Sequence, residues 1–167
     1  MRRQAVFVRC LLAIFVTWLG VFAAIEPAQA ATVDPYIVRY LKVTEPIELN
    51  LDSQGQTRLF SGEELSAGKH LFEKHCLNCH VGGATLPVPT ISLSLSDLQG
   101  ATPPRDNIDG LVTYLREPKT YDGSEDNYWC RQVPETWMPR AEIEKLAAFV
   151  LRAAQKAPGW GVENFEE

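Results

Sequence analysis

Residues 76–80 read Cys-Leu-Asn-Cys-His, and no other stretch narrows the possible folds as far. Two thiols at i and i+3, followed at once by an imidazole, form the C-x-x-C-H signature of covalent haem attachment. The spacing suits the chemistry. Each thiol adds to one vinyl group of the porphyrin, and the histidine that follows binds the iron. Cys76 and Cys79 are therefore the expected thioether anchors of one haem c, with His80 the expected proximal axial ligand. Two other uses of these residues fit less well. A zinc site needs a second ligand pair of similar spacing downstream, and the sequence has none. A thioredoxin-like redox pair needs a βαβ setting, which the flanks do not provide.

The rest of the chain agrees with haem attached outside the cytoplasm. Arg2, Arg3 and Arg9 make a basic start, an apolar run follows from Cys10 to Ala24, and Ala28-Gln29-Ala30 is a small-x-small cleavage site. Residues 1–30 are expected to be a signal peptide, the apolar run being short for a membrane span. Residues 31–167 then form a single domain, with no membrane span after processing. The whole chain carries 16 basic and 21 acidic residues, a net charge of −5. Loss of three arginines with the leader makes the remainder more acidic still. That balance argues against nucleic acid or an anionic membrane as partner and for a basic docking surface. Cys130 is left over once Cys10, Cys76 and Cys79 are accounted for, and an odd cysteine in an exported protein needs a role.

Period-two alternation over Ile47, Leu49 and Leu51, then Thr57 and Leu59, flanks a turn at 52–55 and predicts a small β-hairpin. Residues 31–46 are open between a short helix and an extended arm. Ser61 and Glu64 form a capping box that starts a helix running to about Cys76. Leu65, Gly68 and Phe72 share one face of it. A glycine there costs an isolated helix about 1 kcal/mol relative to Ala, so it implies close approach of another helix. His70 and His75 read as surface or packing residues. Pro87 and Pro89 mark an extended loop around the haem edge. Ser94 or Ser96 caps a short helix near 97–99. Asp106 or Asn107 caps a helix bearing Ile108, Leu111, Val112 and Leu115, which Pro118 ends. A polar and aromatic loop over 119–137 is long enough to suggest function. The last helix starts near Pro139, placed at its first turn. Ile143, Leu146, Ala147, Val150 and Ala154 form its apolar stripe, with Phe149 at the edge. The first and last main helices should cross at Gly68 and Phe72. The expectation is a mainly α fold, three main helices and a hairpin around one haem.

These residues resemble the cytochrome c-550 family, the extrinsic haem subunit of cyanobacterial and algal photosystem II. The likeness covers the hairpin at 46–60, the Cys76-to-Gly83 segment, and two more specific blocks. These are Ala101-Thr102-Pro103-Pro104-Arg105-Asp106-Asn107-Ile108-Asp109-Gly110-Leu111-Val112 and Tyr121-Asp122-Gly123-Ser124-Glu125-Asp126. The resemblance implies a class I cytochrome c-like monohaem fold, a thylakoid-lumen location and a role in photosynthetic electron transport. The chain departs from the family in two places. In the family a second histidine, shortly after the Tyr-Asp-Gly-Ser-Glu-Asp block, binds iron from the far side. Here that segment continues Asn127-Tyr128-Trp129-Cys130, and no histidine follows His80. The family's C-terminus ends in aromatic residues. This one keeps Trp160-Gly161 but finishes Glu163-Asn164-Phe165-Glu166-Glu167, which argues for weak photosystem II association or none.

Cys130 is the favoured distal ligand because it lies within a residue of the family's ligand position. Met138 is the alternative, near where ordinary class I cytochromes place a methionine, although in the family a methionine there does not bind iron. Water, Tyr128 or no ligand complete the set. A thiolate stabilises ferric iron and lowers the potential, whereas a thioether raises it. No convergent acid–base or nucleophile set stands elsewhere, so an enzyme is not expected. Three functions follow: a low-potential electron carrier of the lumen with an unnamed redox partner protein, an extrinsic photosystem II subunit whose haem is mainly structural, or a haem–thiolate sensor.

Overall fold

A computed structural model describes residues 32–86 and 90–162. The expected signal peptide, the loop prolines Pro87 and Pro89, and the acidic ending at 163–167 lie outside the described residues. Among the described residues, no helix is long and apolar enough to cross a membrane.

The described chain opens with a short helix, α1 (Pro35–Arg39). Asp34 caps it by accepting from the Tyr36 amide at 2.7 Å, which decides between helix and extended arm. The hairpin follows as β1 (Ile47–Asn50) and β2 (Thr57–Phe60). Its register pairs Ile47 with Phe60 and Leu49 with Arg58. The inner face is therefore Ile47, Leu49, Arg58 and Phe60, and Leu59 points outward at 58 % exposure. The alternation expected through Thr57 and Leu59 is thus one residue out of phase on β2. Arg58 explains the shift. Its guanidinium lies 4.5 Å from the centre of the Phe60 ring and pairs with Glu64 at 2.7 Å and with Glu144. A long cation covers apolar surface with its stem while its head stays paired.

Helix α2 (Gly62–His75) starts at the capping box read from the sequence. The Glu64 amide donates to Ser61 Oγ at 3.2 Å and the Ser61 amide to the Glu64 carboxylate at 3.0 Å. Ser94 caps α3 (Leu95–Gly100) and Asn107 caps α4 (Ile108–Arg116). The last helix is α5 (Arg140–Lys156). Pro139 is its N-cap and not a first-turn residue: its ψ of 158° is extended, and its carbonyl accepts from the Glu142 and Ile143 amides.

α2 and α5 cross where the sequence placed the crossing. A Cβ on Gly68 would overlap the Lys145 carbonyl and stand 3.0 Å from Phe149 Cβ. Only glycine lets the two backbones approach this closely. Phe149 is not an edge residue: it is 2 % exposed and central to an aromatic cluster. Its ring lies 5.5 Å from Phe72, 5.8 Å from Trp160 and 6.4 Å from Tyr36. α1 and the chain end cover a face of α5 that an isolated amphipathic helix would leave at the boundary.

Candidate haem site

α2 runs directly into the attachment motif. Cys76 is its C-cap, donating its amide to Phe72 at 2.8 Å, and the amides of Cys79 and His80 both return to the Cys76 carbonyl, at 3.1 and 3.0 Å. The helix end therefore curls into a tight turn that carries both thiols and the imidazole. A 3-10 turn over Val81–Gly83 follows. Gly83 has φ of +81°, and a Cβ there would lie 2.6 Å from the Trp160 indole. The indole Nε1 donates to the Leu93 carbonyl at 2.9 Å and the Gly161 amide to Gly82 at 2.8 Å. Trp160 is thus an internal residue that braces the attachment turn, a role its place in the tail does not suggest.

The turn opens on a cavity of about 690 Å³, within the range of ~300–1,000 Å³ usual for cofactor sites. Apolar side chains of α4 and α5, among them Leu111, Leu146 and Val150, form much of its wall. Cys76, Cys79, His80, Cys130 and Met138 all line it. The sequence spreads these five over more than sixty positions, and the fold brings them to one chamber. His75 also reaches the cavity, with its ring edge-on to Trp137 at 5.1 Å, while His70 is exposed. No buried side-chain nitrogen or oxygen lacks a partner among the described residues. A large apolar chamber with two free thiols and an imidazole at its mouth fits a covalently attached porphyrin in size, polarity and donor set.

Electrostatics follow from burial. The Cys76 thiol is pushed up to about 12, first by burial and then by the neighbouring Cys130 and Cys79. Burial also raises Cys130, opposed by the Tyr114 hydroxyl and the Arg105 guanidinium. Burial lowers His80, so the imidazole stays neutral, as metal binding requires. Two residues with no role assigned from the sequence stand beside Cys130. Arg105 is 8 % exposed; its Nη2 donates to the Lys119 and Thr120 carbonyls at 3.1 and 2.7 Å. Its Cζ lies 3.9 Å from the centre of the Tyr114 ring, and among the described residues no carboxylate pairs with it. Tyr114 accepts from Asn127 Nδ2 at 3.1 Å. Arg105 lies inside one of the two blocks that carry the family likeness, but neither residue has a spacing signal.

The cytochrome c-550 domain model matches residues 38–167. The chain belongs to the cytochrome c-550 family. It is 56% identical over 146 residues to a cytochrome c-550-like protein of Thermosynechococcus vestitus, covering 86% of this chain and 83% of that one. It is 51% identical over 137 residues to the photosystem II extrinsic protein V of Gloeobacter violaceus, covering 82% and 74%. A crystal structure of the PsbV2 cytochrome from Thermosynechococcus elongatus superposes with a TM-score of 0.77 at 57% sequence identity, covering 78% of this chain and all of that one. The c-550 fold, mainly helical with a two-stranded antiparallel sheet, and a covalently bound haem c accord with the motif and cavity described above.

Proposed function

We propose that this c-550 family member is a low-potential monohaem electron carrier of the thylakoid lumen, exported by residues 1–30. In this reading Cys76 and Cys79 hold the porphyrin, His80 is the proximal iron ligand and Cys130 the distal one. When bound, haem supplies a one-electron ferric–ferrous couple. The protein's part is to hold it in an apolar chamber, choose the axial donors and set the surrounding charge. The observation that carries the reading is the presence of Cys130 in the same cavity as the attachment motif, in a chain where no histidine follows His80.

Met138 lines the cavity too, but its surroundings favour a core role. It is 1 % exposed, its amide donates to Pro134 at 3.1 Å and its carbonyl accepts from Arg116 at 2.8 Å. The Cys130 thiol has only a weak 4.0 Å contact with the Arg131 carbonyl. Burial disfavours a free thiolate there, so iron's positive charge must supply the compensation. Thiolate donation then stabilises the ferric state and lowers the potential. With His80 and Cys130 both on iron no position is left for a substrate, which suits a carrier and not an enzyme. The redox partner is a lumenal protein with a basic docking face.

The photosystem II reading has its own support in the relative named as a photosystem II extrinsic protein. Against stable docking stand the acidic ending of the sequence and the internal use of Trp160. Optical and EPR spectra of the ferric protein, wild type and Cys130→Ser, test the assignment. The substitution should change both spectra and raise the potential. If Cys130→Ser leaves the ferric spectra unchanged while Met138→Leu abolishes a long-wavelength sulfur-to-iron band, Met138 is the ligand. Carbon monoxide binding to the ferrous wild type would favour the sensor reading.

A further inference from the structure

We propose that Thr85 is the positioning residue of the proximal ligand: its hydroxyl accepts the His80 Nδ1 proton and donates its own to the Ile91 carbonyl, leaving Nε2 free for iron. The inference rests on the reading of His80 as an iron ligand and adds what sets that ligand's tautomer and strength.

Two contacts fix the direction of the relay. Thr85 Oγ1 lies 3.1 Å from His80 Nδ1, and the same hydroxyl donates to the carbonyl of Ile91. A carbonyl oxygen only accepts, and a threonine hydroxyl has one proton to give. That proton is committed to Ile91, so the hydroxyl can only accept from the imidazole. Nδ1 therefore carries the ring proton and Nε2 the lone pair. The acceptor at the end of the relay is itself held. The amide and hydroxyl of Ser92, the next residue, both donate to Asp97 Oδ2, at 3.1 and 2.5 Å. One residue on, the Leu93 amide donates to Gly83 at 2.7 Å and the Leu93 carbonyl takes the Trp160 indole proton. The Ile91 carbonyl is thus fixed to α3, to the attachment turn and to the aromatic cluster at once.

The consequence is electronic as well as geometric. An acceptor on the remote ring nitrogen raises the basicity of a ligating imidazole, and a hydroxyl that has already given its proton accepts more strongly. His80 should then push more charge toward iron and favour the ferric state.

The test uses the holoprotein. Thr85→Val keeps the shape and removes the hydroxyl; Thr85→Ser keeps the hydroxyl. Thr85→Val should weaken the preference for ferric over ferrous iron about tenfold, the lower end of the effect of such outer-shell partners, an upward shift of about 59 mV for a one-electron couple. Thr85→Ser should stay close to wild type. A wild-type potential in Thr85→Val, or an equal shift in both variants, overturns the proposal. Proton NMR of the wild-type ferric protein decides the matter if Thr85→Val yields no folded protein. A hyperfine-shifted His80 Nδ1 proton that exchanges slowly with solvent supports the relay. A hyperfine-shifted His80 ring whose Nδ1 proton exchanges freely overturns the relay alone. A His80 ring with no hyperfine shift overturns the ligand assignment, and the relay with it.

Discussion

Replacing Gly68 by alanine sets two effects of known size against each other. Alanine is the better helix former by about 1 kcal/mol, and Gly68 sits inside α2, so propensity alone predicts a more stable protein. The added methyl, however, would overlap the backbone carbonyl of Lys145 and press on Phe149 Cβ at 3.0 Å. A backbone carbonyl in the middle of α5 cannot rotate away as a side chain does, so the helices must separate. Overpacking of this kind costs about 1–3 kcal/mol, and with unyielding backbone on the far side the upper half of that range applies. The expected net loss is about 1–2 kcal/mol. At roughly 4 °C per kcal/mol for a domain of this size, the ferric holoprotein should melt about 4–8 °C lower. Thermal melts of wild type and Gly68→Ala by far-ultraviolet circular dichroism measure this directly. An unchanged or higher melting temperature would refute the close crossing of α2 and α5. The same separation moves the C-cap of α2, Cys76, against the α5 wall of the cavity, so the variant's haem absorption bands should shift as well.

Other perturbations probe different parts of the molecule. Acid–acetone should fail to extract the haem from the wild type, and His80→Ala should lower the yield of folded holoprotein because cofactor binding is coupled to folding. Cys130→His should move the ferric spectrum toward a bis-histidine form; an unaltered spectrum would count against Cys130. Trp160→Ala removes the ring that braces Gly83 and packs on Phe72 and Phe149, at a cost of about 3 kcal/mol for a large aromatic, read by denaturant unfolding. Asp122 is held down to about 2 by hydrogen bonds from Thr120 and Ser124. A carboxylate whose pKa falls on folding adds stability above its usual value of 3.8, and that contribution is lost as pH falls through about 2. Asp122→Asn should therefore flatten the acid branch of the stability profile between those limits; an unchanged branch means the hydrogen bonds contribute nothing. Recovery of this chain in stoichiometric amounts with salt-washed photosystem II would sink the expectation of weak docking.

Features written in local chemistry were legible before the fold was known. The capping box at Ser61 and Glu64, the caps at Ser94 and Asn107, and the turn between β1 and β2 each lie within a few residues of what they control. The crossing at Gly68 was legible for a different reason: a glycine on an apolar helix face weakens the helix, and close approach of a second backbone offsets that loss. What escaped depends on contacts distant in sequence. The phase of β2 turned on Arg58 reaching Glu144, 86 residues away. Phe149 looked marginal because the α1 and Trp160 surfaces that bury it lie outside α5. Thr85, Arg105 and Tyr114 matter through a hydroxyl direction, a buried guanidinium and a ring plane, and residue spacing encodes none of these.

The choice of distal donor is narrowed by how the long loop is fastened. Arg105 holds its start through the Lys119 and Thr120 carbonyls. The Asn127 amide donates to Pro118, and the Val133 amide to Leu115, both at 2.8 Å. Arg116 takes the carbonyls of Val133 and Met138, at 2.6 and 2.8 Å. The loop is thus pinned to α4 at Asn127 and again from Val133 onward, and only residues 128–132 lie free of backbone pins between them. Tyr128 and Trp129 are largely exposed, at 89 and 72 %, and Arg131 and Gln132 offer iron no suitable donor. Cys130 is the one soft donor in that interval, and Met138 lies beyond the second pin. A change of residue at one or two positions in this interval can exchange imidazole for thiolate without disturbing the fastening. The fold therefore separates the task of holding the haem from the task of setting its potential.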